Sequence, residues 1–107
     1  MTSSFFTQIG SDIDGVAGYE SNNLVSLSAD GSTVAVGVND NLGSGQVKIF
    51  KNVNDTWTQV GNDINGEINA SSGRSVSLSA DGSIVAIGAY GNDGNGIDSG
   101  HVRIYKN

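Results

Sequence analysis

The chain has 107 residues, the length of one small domain, with no cysteine and a formal net charge of −6. Its five basic residues (Lys48, Lys51, Arg74, Arg103 and Lys106) are dispersed. This excludes the basic patch that nucleic acid or an anionic membrane surface requires, so neither is an expected partner. Absent cysteine removes disulfides, thiolate metal sites and cysteine nucleophiles, and no apolar run approaches the roughly 20 residues of a membrane span.

The first ten residues, "MTSSFFTQIG", have neither the basic nor the apolar region of a signal peptide. The compartment is therefore unassigned. Hydrophobic residues make up 36% of the chain and charged ones only 15%, with 16 glycines and no proline. Gly, Ser and Asn in such numbers disfavour helix interiors and suit short strands joined by tight turns.

In chain order, four stretches have strand character: "FTQIG" (6–10), "LVSLS" (24–28), "TVAVGV" (33–38) and "QVKIFK" (46–51). The same four then recur as "WTQVG" (57–61), "SVSLS" (75–79), "IVAIGA" (84–89) and "HVRIYK" (101–106). A shift of 51 residues aligns 6–38 with 57–89, and after a four-residue insertion 44–52 aligns with 99–107. Of these 42 pairs, 24 are identical. The chain is a tandem repeat, divided as 1–56 and 57–107, and its period lies near that of propeller blades. Alternation is of period two throughout, with Val76 and Leu78 on one face and Ser75, Ser77 and Ser79 on the other. The predicted class is all-β.

Between the second and third stretches of each copy lies "ADGS". Asp30-Gly31 and Asp81-Gly82 are read as turn formers, the Asp-Gly pair supplying the positive φ of a two-residue hairpin turn. One face of each hairpin carries Val, Leu and Ile, the other Ser, Ala and Gly. A wet face would carry long polar or charged residues. Large on one side and small on the other suits sheets stacked between like neighbours, as propeller blades are.

These residues resemble bacterial FG-GAP-like, integrin-type β-propeller repeats. The likeness is carried by "SVSLSADGSIVAIGA", by "NDGNGIDSGHVRIY", and by "WTQVGNDING" as the neighbouring outer strand. It implies two four-stranded blades per chain and, for the family, a secreted or cell-surface setting in bacteria. Calcium-binding repeats of that type hold an Asp/Asn-rich loop where this chain has only Ala80-Asp81-Gly82-Ser83. That loop has too few oxygens for a cation taking 6–8 of them.

Propellers close with about 4–8 blades, so two blades do not close a ring. The strands are circularly offset, with an outer strand first and a third strand last. One chain's first strand completing another chain's last blade mends both ends, through a heterologous contact that closes into a ring. Equivalent chains then give six blades as a homotrimer or eight as a homotetramer. A monomeric β-sandwich is the alternative, and a chain of this length also suits a fragment or engineered piece of a longer propeller. Phe6, Trp57, Val25, Leu27, Val76 and Leu78 are the expected packing residues between blades, with aromatic sugar stacking as the other reading of Phe6 and Trp57.

The long loop 89–100 offers Asn92, Asp93, Asn95 and Asp98 as oxygen donors, a candidate calcium or sugar site. Its spacing misses the EF-hand pattern and equally fits an ordinary polar loop. His101 aligns with Gln46, so the repeat itself does not call for an imidazole. Paired carboxylates such as Asp12 and Asp63 recur with the repeat, which suits turns or contacts between blades. No G-x-S-x-G elbow is present. The expected function is a non-enzymatic, self-assembling scaffold without a cofactor. The alternative is a lectin-like propeller binding glycans through loops 14–23, 65–74 and 89–100, and a hydrolase at a central channel is a third, weaker class.

Overall fold

The computed structural model describes residues 5–14, 20–39, 45–66, 72–89 and 101–107. It is all-β, with two antiparallel sheets and no helix among the described residues. Sheet A runs β1 (Glu20–Leu27), β2 (Thr33–Asn39), β3 (Gln46–Val53) and β4 (Thr56–Gln59), each paired with the next; the two-residue β5 (Ile64–Asn65) pairs with the start of β3. Sheet B runs β6 (Ser72–Leu78), β7 (Ile84–Ala89) and β8 (His101–Lys106). Four antiparallel strand pairs, β1–β2 and β2–β3 in one sheet and β6–β7 and β7–β8 in the other, obey the expected alternation, and their registers correspond: Val25 opposes Val36 as Val76 opposes Ile87.

The repeated turn departs from the expected two-residue form. Ser28 N–H donates to the Thr33 carbonyl at 2.9 Å and Gly31 N–H to the Ser28 carbonyl at 2.9 Å, so four residues, 29–32, form the loop. Ser79, Gly82 and Ile84 repeat the pattern. Only the glycines take positive φ, +74° at Gly31 and +78° at Gly82. The two-residue turn lies elsewhere, at Asn54 (φ 53°) and Asp55 (φ 65°), which join β3 to β4 with Val53 opposite Thr56. Positive φ at both central residues is the signature of the turn that matches strand twist.

That turn decides the sheet to which β4 belongs. Trp57, from the second sequence repeat, pairs with Asn52 of the first, so sheet A spans the repeat boundary at 56/57. The expected strand at 6–10 does not form. Residues 5–14 take no strand conformation, because an extended segment needs a partner edge for its N–H and C=O groups. The predicted pair of four-stranded sheets is thus four strands in line plus β5 on one side, and three on the other.

The core lies between the sheets. Val85 and Ile87 of β7, with Val76 and Leu78 of β6, form the large face of sheet B; they meet Ala35, Val47 and Ile49 on the small face of sheet A. Ala35 and Val47 are fully buried and Ile87 is 2% exposed. Two bonds lock the stacking: Leu78 N–H donates to Ser26 Oγ at 3.0 Å, and Asp30 N–H to the Ala80 carbonyl at 3.1 Å. Large face on small face is the packing the sequence pattern calls for.

Candidate functional site

The hairpin aspartates serve their own turns. Asp30 Oδ1 accepts from Ser28 Oγ (2.7 Å), Ser32 N–H (3.0 Å) and Ser32 Oγ (2.7 Å). These donors hold the Asp30 carboxyl down at about 2, the Ser28 hydroxyl contributing most. Asp81 does the same through Ser83 and Ser79, and its carboxyl is likewise lowered, chiefly by the Ser83 hydroxyl. Each four-residue turn is a closed ring of Ser and Asp bonds, with the acceptor oxygen already filled.

Asp63 joins three strands instead. Lys48 Nζ on β3 donates to its Oδ1 at 2.8 Å and Gln59 Nε2 on β4 at 2.6 Å. The ammonium is the main cause of its lowered carboxyl, with Gln59 adding to it. This cluster lies beside the short β5 pairing, where Ile64 opposes Val47. Its counterpart in the first repeat is half assembled: Gln8 Nε2 donates to Asp12 Oδ1 at 2.7 Å. The sequence showed these carboxylates recurring but not their partners, because the link to Lys48 depends on which sheet β4 joins.

The residues expected to pack between sheets divide by copy. Val76 and Leu78 are half-buried against the core. Val25 and Leu27, their counterparts on sheet A, are 66% and 59% exposed, and Phe6 is exposed. Trp57 is half-buried, and its Nε1 donates to the Ile9 carbonyl at 2.9 Å. The small face of sheet B is open as well: Val102 and Ile104 are 68% and 69% exposed, whereas their counterparts Val47 and Ile49 lie against the core. The molecule therefore presents a large apolar surface at Val25 and Leu27 and a small-residue surface with Val102 and Ile104.

A groove of about 300 Å³ between the sheets is lined by Ile49, Val60, Gly61 and Ile64 from one side and by Leu78, Val85 and Tyr105 from the other. Gly10–Asp14 with Phe50 and Trp57 line a second groove of about 310 Å³ on the outer side of sheet A. The second groove is the sequence counterpart of the first, with Gly10 at the position of Gly61 and Phe50 at that of Tyr105. Its outer wall has no sheet against it among the described residues.

Residues 63–105 match the FG-GAP repeat. The resemblance seen in "SVSLSADGSIVAIGA" thus holds for the stretch running from β5 into β8, and the repeat that this stretch matches is of β-propeller type. The FG-GAP match begins at Asp63, the residue bonded by Lys48 and Gln59, and takes in the whole of β6 and β7. No curated protein and no solved structure matches the chain. Asn92, Asp93, Asn95 and Asp98 lie outside the described residues, as does most of the loop 89–100 and the middle of the loops 14–23 and 65–74. Among the described residues, no three His, Asp or Glu side chains are grouped to hold a metal.

Proposed function

We propose that this chain is a non-enzymatic structural module that stacks on copies of itself to close a β-propeller. Three chains give six blades or four give eight, and the ring carries its rim loops as an interaction platform. One observation carries the reading. The contact that joins the two sheets inside the chain uses a large face and a small face, and one more of each stands exposed on the outer sides.

Because the repeats share their sequence, the outer pair is a second copy of the inner pair. A contact between unlike faces of identical chains is heterologous, and it closes into a ring when the rotation per chain divides a full turn. Repeat proteins are stabilised by such nearest-neighbour interfaces. The carboxylates support a structural role as well, since Asp30, Asp81 and Asp63 are each committed to hydrogen bonds that hold a turn or join strands.

Light scattering behind a sizing column tests this directly. A species at three or four times 10.9 kDa is expected. A folded species at 10.9 kDa over the whole accessible concentration range overturns the proposal.

A further inference from the structure

The assembly contact proposed above leaves open which backbone and side-chain groups join the copies, and the inner contact answers this. Within the chain, the segment that leads into sheet B first runs along the edge of sheet A. Gln59 opposes Phe50, Thr58 opposes Lys51 and Trp57 opposes Asn52, while Asp63 receives Lys48. The segment that leads into sheet A is 6–14. It carries the same phrase, "FTQIGSDI" against "WTQVGNDI", and takes no strand conformation. The strand counterpart to β3 is β8, which forms an edge of sheet B among the described residues.

Resting on the self-assembly reading, we infer that residues 6–9 of one copy add as a fourth strand to β8 of a second copy, and that Asp12 takes an ion pair from that copy's Arg103. The register follows from the inner pairing. Gln8 opposes Tyr105, Thr7 opposes Lys106 and Phe6 opposes Asn107. Further on, Ile13 opposes Val102, as Ile64 opposes Val47 inside the chain.

Three features prepare the segment. Trp57 Nε1 and the Ile9 carbonyl hold it against sheet A at 2.9 Å. Gly10 sits so close to the β3–β4 turn that a Cβ there would lie 2.7 Å from the Asp55 carbonyl oxygen. Gln8 already donates to Asp12 at 2.7 Å, as Gln59 does to Asp63. The trio of Lys48, Gln59 and Asp63 therefore has two of its three members in place at Gln8 and Asp12. The third position, that of Lys48, is filled in the repeat by Arg103, whose planar guanidinium suits a carboxylate partner. Strand addition at an exposed edge supplies the affinity through main-chain bonds, and the ion pair fixes the register.

The chain has no cysteine, so disulfide trapping reads the register cleanly. Phe6→Cys and Asn107→Cys variants are prepared separately, mixed and mildly oxidised. The pair matches Trp57 with Asn52, a directly opposed position where Cβ atoms come close enough for a disulfide. A disulfide-linked dimer is expected from this mixture, and much less from Thr7→Cys with Asn107→Cys, whose side chains point to opposite faces.

In parallel, Asp12→Arg or Arg103→Asp alone raises the concentration needed for assembly by about tenfold, and the two together in one chain restore it. Assembly that persists with no in-register disulfide and no charge-swap rescue overturns the strand addition while leaving self-assembly standing. A chain that stays monomeric overturns both.

Discussion

Replacing Val25 and Leu27 together by serine separates the stability of the chain from its assembly. Their counterparts Val76 and Leu78 are half-buried by the inner contact, whereas Val25 and Leu27 are 66% and 59% exposed. Covering the outer face in the same way removes roughly a third to a half of each side chain from water. Full burial of a Val or Leu side chain contributes about 1.5–3 kcal/mol, so the partial burial contributes about 1 kcal/mol each. The double variant thus weakens each contact between copies by about 2 kcal/mol, or about thirtyfold in dissociation constant.

Light scattering across a dilution series measures that shift. Urea unfolding of the dilute, dissociated chain is the control, and it changes by no more than about 0.5 kcal/mol because the replaced groups already face water. Val76→Ser with Leu78→Ser behaves oppositely, unfolding the single chain before assembly is reached. If the Val25/Leu27 variant assembles at the same concentration as the parent, this face is not the joining surface.

The remaining predictions concern the single chain. Gly82→Ala places a Cβ 2.6 Å from Thr33 Cβ at φ +78°, whereas Gly31→Ala has the same backbone strain and open space. Urea midpoints of dilute chains show about 1 kcal/mol lost at Gly31 and about 1–3 kcal/mol more at Gly82, and equal losses refute the contact. Ile87→Ala, at a 2% exposed site, costs about 2–4 kcal/mol, whereas Ile104→Ala, at 69%, leaves the dilute chain's unfolding midpoint unchanged. Asn54→Val puts a β-branched residue at φ 53° and costs about 1–2 kcal/mol; release of β4 then shifts the fluorescence of Trp57, the single tryptophan. The carboxyls of Asp30, Asp81 and Asp63 are all lowered on folding. Their contribution to stability is therefore complete above about pH 4 and is lost as pH falls through the folded values, about 2 for Asp30. NMR titration of the side-chain carboxyls checks this, and ordinary values for Asp30 and Asp81 refute the turn network.

The four antiparallel strand pairs within the repeats were legible because alternation of period two and a recurring Asp-Gly leave few other structures. The chemistry of the turn was only half legible. Asp-Gly marks a turn, but four residues rather than two form it, with the carboxylate collecting donors from Ser28 and Ser32 while glycine alone bends backward. The β3–β4 hairpin carried a weaker signal, since Asn54-Asp55 has no glycine and sits where one repeat meets the next. As a result, the attachment of β4 to sheet A, and with it the Lys48–Asp63 pair, was not readable. The strand expected at "FTQIG" has the same pattern as "WTQVG", yet only the second finds an edge. Pattern specifies which residues can form a strand, while pairing depends on what lies beside them.

The near-identity of the repeats also shapes how assembly proceeds. The inner contact joins sheets already tethered by the short segment 66–71, so it forms without the entropy cost of bringing separate molecules together. The outer contact uses equivalent residues but must offset that cost, several kcal/mol or more per association. Chains joined in a row therefore hold one another weakly. The last contact of a ring is different, because its two faces are carried by one assembly and meet at high effective concentration. Closure then stabilises every other contact in the ring. A mass distribution of single chains and closed rings, with few open pairs between them, is the signature expected of this geometry. A ladder of pairs, triples and longer rows would instead mean that the large face of sheet A and the small face of sheet B meet at an angle that never returns to its start.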